Sequence, residues 1–307
     1  MRIVVFPNQG NTCYINSILQ TFITDPVFLK ILESVPDDNV FVKQLKNICN
    51  KVDLYNESSL ELVRLGTNDL MNTFRSHFDW FEPFQQHDAH EFFTCFMDLL
   101  IKQTPSERLF SNTNPQWNTF LVNNSSMFTR YYHGQTRLGI MCIECRNYKE
   151  VFEEFNTINL NVPLQDSYLT DLFIQYLQKE THGDPHNLYQ CDHCNKKVIT
   201  EQKINLWLLP PRLSLVLKRY TENGTKLVSR VKYQDMLLIK ESYSNQEMKY
   251  KLHSIVTHQG SLLRGHYSCK TRLTDDKFIL IDDDQVYNLP DEYYNDSDSY
   301  ILNYIKM

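Results

Sequence analysis

The sequence predicts an α+β fold, a helical N-terminal lobe followed by a β-rich remainder. Three observations predict it. Apolar residues recur at helical spacing through the first third of the chain. Aromatic and β-branched runs of strand length dominate after Phe128. Two Cys-x-x-Cys knuckles lie inside the strand-rich part. A chain of 307 residues, 42% hydrophobic and 22% charged, has ordinary globular composition, which excludes a disordered or collagen-like protein. The net charge of −6 argues against a general nucleic-acid-binding surface. No apolar run approaches the roughly 18 residues of a membrane span.

The elements follow in order. Residues 13–23 place Ile15, Ile18, Leu19, Phe22 and Ile23 on one helical face, with Asn11 and Thr12 as candidate caps. Phe92, Phe93, Phe96, Leu99 and Leu100 mark an amphipathic helix after QQHDAHE. Residues 101–125 are polar and turn-rich and read as a connection. FTRYYHGQTRLGIMC, YKEVFEEFNTINLNV and KVITEQKINLWLL then read as strands. Pro210-Pro211 interrupts the chain before LSLVLKRY, a short buried-strand candidate, and KLHSIVTH, HYSCKTRL, KFILID and SYILNYI supply the last strands.

Four of the eight cysteines form the knuckles: Cys142 with Cys145, and Cys191 with Cys194. A two-residue gap lets both sulfurs of a knuckle face one ion, and two knuckles supply the four thiolates of a closed tetrahedral zinc site. Such a site has no open position, so the Zn²⁺ it predicts is structural. Forty-five residues separate the knuckles, so the ion would pin two distant strand turns together. His193, inside the second knuckle, is an alternative ligand or a solvated loop residue. Cys49, Cys95 and Cys269 read as small buried hydrophobes. MRIVVFPNQG is too short an apolar start for a signal peptide, so reduced thiols and an intracellular, reducing compartment are expected.

NQGNTCYINSILQ puts Cys13 at the start of a predicted helix, where unpaired N–H groups and the helix dipole favour a thiolate. The Asn8 amide and the Cys13 backbone N–H form a candidate oxyanion hole. A buried helix-start cysteine beside a capping loop is the plainer alternative. A thiol nucleophile needs a histidine and an acceptor to orient it. An antiparallel hairpin about residues 274–275 would bring His266 opposite Asp282 or Asp283. Gly265, just before His266, would let a substrate backbone pass closely. His253 and His258 are rivals without an acid across a hairpin, and His258 reads as a structural histidine.

Taken together, these stretches resemble the ubiquitin-specific protease family of cysteine deubiquitinases. NQGNTCYINSILQ is similar to its cysteine box and QQHDAHEFF to the helix start that follows it. The two knuckles are similar to the zinc site of its fingers, LPPRLSLVLKRY to a palm strand, and HQGSLLRGHYSC with FILIDDDQV to its histidine box. The resemblance covers nearly the whole chain. It implies a papain-like cysteine protease variant forming a single catalytic domain, a compact core over 1–307. The helical thumb would span roughly 1–125. Palm and fingers would be interleaved over 126–307, with the zinc-tipped fingers at roughly 134–205. It implies Cys13 as nucleophile, His266 as general base and acid, Asp282 as orienting residue (Asp283 could share or take that role) and Asn8 in the oxyanion hole. Gln86 and Asp88 would hold the substrate's C-terminal tail, with Tyr220 and Tyr267 beside it. Tyr220 stands where Phe is usual. The implied partners are ubiquitin and ubiquitinated proteins, with no nucleic acid, no membrane and a monomeric state expected. The rival functions are an inactive ubiquitin-binding module and a zinc-stabilised interaction protein.

Overall fold

The computed structural model describes residues 4–50, 57–105, 114–183, 188–261, 264–274, 277–290 and 297–307. The helical lobe comprises α1 (Cys13–Ile23), α2 (Pro26–Ser34), α3 (Val40–Asn50), α4 (Glu57–Arg75), α5 (Ala89–Gln103), α6 (Pro115–Asn124) and α7 (Met127–Tyr132). The chain then enters β1 (Gly134–Cys142), β2 (Tyr148–Phe155), β3 (Ile158–Asn161), β4 (Ser167–Tyr168) and α8 (Leu169–Tyr176). Next come β5 (Glu180–His182), β6 (Tyr189–Cys191), β7 (Lys196–Val198), β8 (Thr200–Leu208), β9 (Arg212–Lys218), β10 (Val231–Lys232) and β11 (Met236–Lys240). The last strands are β12 (Glu247–Gly260), β13 (Gly265–Thr274), β14 (Lys277–Asp282), β15 (Gln285–Asn288) and β16 (Ser299–Lys306).

Local chemistry explains the helix starts. Asp25 accepts from the N–H groups of Val27 (2.9 Å) and Phe28 (3.3 Å) ahead of Pro26 at the first helical position of α2. Asp88 caps α5 in the same way, from His90 N (2.7 Å) and Glu91 N (3.0 Å). Two expectations are corrected here. Residues 115–124, expected in a connection, form α6, capped by Asn114 through Trp117 N (3.1 Å) with Pro115 at its first position. Residues 128–132, expected as strand, lie in α7, because Ser126 caps Phe128 N (3.2 Å) and packing overrides the strand preference of the aromatics.

An eight-stranded sheet, mostly antiparallel, carries the centre of the molecule in the order β15-β14-β13-β12-β16-β9-β3, with β11 paired to β12. Alternate residues of its strands face two cores. Val216, Val256, Tyr300 and Ile301 join the helical lobe's core around the fully buried α1. Leu215, Leu217, Leu302 and Tyr304 join a second core with α8 and β3. A four-stranded sheet, β2-β1-β8-β5, projects to the knuckles, with the β6–β7 hairpin beside them. The stretch 134–205 is therefore not one finger unit. Its β3 pairs parallel with β9 and rejoins the large sheet, because Ile158 and Leu160 alternate into that sheet's core.

Candidate active site

Cys13 is the first residue of α1 and is buried. The turn before it is built by Asn8, whose Oδ1 accepts from Gly10 N (3.0 Å) and Thr12 N (3.3 Å). Gly10 has φ +93 and Asn11 φ +59, so the chain reverses through left-handed conformations that Gly and Asn tolerate best. Burial raises the Cys13 thiol pKa, opposed by the Tyr267 backbone N–H and reinforced by the Asp283 charge. Among the described residues, no hydrogen bond joins Cys13 to His266. Burial thus favours the neutral form of the Cys13 thiol.

His266 lies near the start of β13, and its Nε2 bonds Asp282 Oδ1 at the end of β14. The hairpin register differs from the expected one. Cys269 sits opposite Ile281, not Ile279 or Leu280, because the ladder closes with Thr274 opposite Lys277, later along the chain than a turn about 274–275, and the bulge between Arg272 and Thr274 takes back only one position. Pairing with β14 ends at Cys269, and the His266 ring reaches Asp282 from beyond that ladder.

Asp283 occupies a different place. It accepts from Asn8 Nδ2 (2.9 Å) through Oδ2 and from Asn16 Nδ2 (2.7 Å) through Oδ1. Its backbone carbonyl accepts from Phe6 N (3.2 Å), and its φ is +52. One carboxylate thereby fastens the cysteine turn and α1 to the turn that carries Asp282. Sequence reading had not singled out Asn16. Its one signal was a polar residue on the buried side of an apolar helix.

The Asp88 carboxylate, besides capping α5, accepts from Tyr300 Oη (2.6 Å) through Oδ2. The Gln86 side chain crosses from the helical lobe to β13 and meets the backbone of Gly265. Tyr220 Oη and His258 Nδ1 share a hydrogen bond (2.9 Å), and the His258 ring packs on Tyr267 with centroids 4.4 Å apart. Burial, then Lys226, lowers the His258 pKa to about 4, so its imidazole is neutral. It walls the site rather than serving as its base. Nothing in the sequence pattern marks Tyr300.

The four knuckle cysteines converge. Their sulfurs lie within 4.8 Å of one another, with Cys142 to Cys194 at 3.9 Å and Cys145 to Cys191 at 3.7 Å. A tetrahedron with Zn–S near 2.3 Å has edges of about 3.8 Å, so these residues fit a metal of that kind. His193 lies outside the cluster.

A family model described as ubiquitin carboxyl-terminal hydrolase matches residues 5–304. The chain belongs to that family. Among its curated relatives, ubiquitin carboxyl-terminal hydrolase 17-like protein E of Mus musculus is 24% identical over 304 residues. Ubiquitin carboxyl-terminal hydrolase 23 of Arabidopsis thaliana is 23% identical over 308 residues. Each alignment covers 97% of this chain but only 54% and 35% of the relative, so the chain spans about half or less of their length. Among solved structures, the Ubp8/Sgf11/Sus1/Sgf73 module of SAGA bound to ubiquitin aldehyde matches with a TM-score of 0.79 at 21% identity. That match covers 99% of this chain and 70% of that one, and it shows the shared ubiquitin carboxyl-terminal hydrolase fold. Among the described residues, no helix is long and apolar enough to cross a membrane.

Proposed function

We propose that this chain is a deubiquitinating thiol protease that hydrolyses the bond after the C-terminal glycine of ubiquitin. The observation that carries the reading is the placement of Cys13, at a helix start, against β13: the Tyr267 N–H faces its thiol, Asp283 ties its turn to the hairpin end, and His266, next to Tyr267, bonds Asp282. His266 would take the proton from Cys13, and the thiolate would attack the terminal carbonyl. The amine leaves with a proton from His266, and water, activated by the same imidazole, hydrolyses the thioester. Asp282 holds the imidazole in the tautomer that accepts from sulfur. An amide nitrogen carries two hydrogens. Asn8 gives one to Asp283 and has the other for the oxyanion, beside the Cys13 N–H. Gln86, Asp88, Tyr220 and Tyr267 would line the path of the tail.

The helical lobe would serve as thumb, the large sheet as palm and the four-stranded sheet as fingers around the body of ubiquitin. We infer that Cys142, Cys145, Cys191 and Cys194 hold a structural zinc ion. Such an ion ties the β1–β2 turn to the β6–β7 turn and supplies no step of the reaction. Free thiolate ligands and a free nucleophile suit a reducing compartment.

The test is release of a fluorogenic amine from the C-terminus of ubiquitin, with Cys13→Ala as control. Release by the native chain alone supports the reading. No release from a folded, zinc-loaded chain overturns it.

A further inference from the structure

Among the described residues, the edge of β13 facing the cysteine turn has no strand partner where the chemistry lies. β14 pairs with β13 only from Cys269 onward, while β12 covers the other side back to Gly265. Backbone groups of alternate residues point the same way along a strand. Gly265 and Tyr267 thus present their polar groups on the uncovered edge. The Tyr267 N–H faces the Cys13 thiol. Both Gly265 groups are filled by one side chain from the other lobe. Gly265 N donates to Gln86 Oε1 at 3.1 Å, and Gln86 Nε2 donates to Gly265 O at 2.9 Å. The same Nε2 lies 3.4 Å from Asn11 Oδ1 in the cysteine turn. A primary amide bonded in this way copies the N–H and C=O of a paired peptide unit.

We propose that Gln86 is a specificity-determining gate, its amide occupying on Gly265 the seat that an extended substrate backbone takes on its way to Cys13. The inference rests on the peptidase reading and deepens it. A peptide that adds to this edge by strand pairing offers the same donor and acceptor and displaces Gln86 one for one. Its next residues then run along the edge toward Tyr267 and the thiol. The residue against Gly265 must be slender. A Cβ built on Gly265 itself would lie 2.0 Å from His258 Nε2, so that wall already stands against the strand. Until a substrate offers enough binding elsewhere to make the exchange, the amide clamp keeps the two lobes joined across the site. Short peptides lack that help, whereas a folded protein attached to the tail supplies it.

The test compares the native chain with Gln86→Ala and Gln86→Glu, using a short peptide amide ending in Leu-Arg-Gly-Gly and the ubiquitin amide. Binding of the peptide is followed through the Gly265 amide resonance, a readout independent of turnover. Gln86→Ala is expected to bind the peptide about five- to tenfold more tightly, the scale of one or two net hydrogen bonds. Gln86→Glu, which keeps only the acceptor half of the clamp, should fall between. The Gly265 N–H of the free native chain should exchange with solvent more slowly than in Gln86→Ala. Unchanged or weaker peptide binding in Gln86→Ala overturns the gate, as does an unprotected Gly265 N–H in the native chain. Ubiquitin amide turnover by the native chain is scored separately. Its loss overturns the peptidase reading, and its survival beside a failed gate shows Gln86 to be only a tail ligand.

Discussion

At the scale of single residues, the two neighbouring aspartates have separable roles. Asp282 is hydrogen-bonded to His266, while Asp283, with a carboxylate oxygen within 4.8 Å of the same ring, joins Asn8, Asn16 and Phe6. Asp282→Asn removes the acceptor that sets the imidazole tautomer. It is expected to lower kcat by on the order of 10²-fold or more with little change in melting temperature. Asp283→Asn turns half of an acceptor that serves two amide donors into a further donor. It should lower both stability and activity, by about 1–3 kcal/mol in urea unfolding. If Asp282→Asn melts early while Asp283→Asn stays folded and inactive, the roles are exchanged. The raised Cys13 pKa gives a second expectation. A group held protonated by burial ionises only above the ordinary thiol range. Alkylation of Cys13 by a small electrophile in the free chain should therefore keep rising beyond pH 9, without a plateau near neutrality. A plateau at pH 6–7 would mean a preformed thiolate–imidazolium pair.

At the scale of elements, the cysteine cluster sits at the end of thin strands. The β6–β7 hairpin is three residues on each side, and β2 is largely exposed, so little apolar burial holds this tip. Cys142 and Cys191 are buried mainly among the cluster and Val198. Chelation, or Cys142→Ser, is expected to raise hydrogen exchange through β1, β6 and β7 while leaving β9, β12 and β16 protected. Uniform exchange through all strands would show the tip and the large sheet to be one cooperative unit. The same elements show what a sequence can display. The knuckles, α1, α5 and the strands β12, β13, β14 and β16 were legible because spacing and periodicity are local signals. The pairing of His266 with an acid was legible from hairpin folding, but the bulge at Arg272 was not, since one extra residue leaves no mark in composition. β3 was read as strand only within one run with β2, and its separate place was hidden for another reason. It follows β2 without a turn signature, and only parallel pairing with β9 assigns it to the large sheet. α7 was misread because its aromatics favour strands until Phe128, Tyr131 and Tyr132 find a core to fill. The Gln86 clamp joins residues 179 positions apart and has no local signal at all.

At the scale of the whole molecule, the site exists only because two bodies of structure keep their relative placement. Cys13 comes from the helical lobe, and His266 with Asp282 comes from the sheet. Their junction carries a buried ion pair, Asp25 of the α1–α2 connection with Arg212 of β9, both fully buried. Arg212 also donates to Thr21 O at 2.9 Å, and Tyr131 Oη bonds the Asp25 carboxylate at 3.0 Å. Nearby, His253 of β12 meets Thr24 at 3.3 Å. Burial, then Arg212, lowers its pKa to about 3. An uncompensated buried charge costs more than a lost pair, so Arg212→Met alone should destabilise by about 3–5 kcal/mol. The double variant Asp25→Asn with Arg212→Met removes the stranded charge and keeps a side-chain cap for α2. It should recover a substantial part of that loss, read as a coupling energy in urea unfolding. Equal loss in single and double variants would mean the ion pair does not organise the junction. The histidine sets the pH window. Its folded pKa lies below the ordinary 6.5, so the unfolded chain binds the extra proton as pH falls. The stability it contributes is whole above about pH 6.5 and is lost as pH falls toward 3. His253→Gln should flatten the decline in unfolding free energy between those limits, and an unaltered slope would place the acid sensitivity elsewhere.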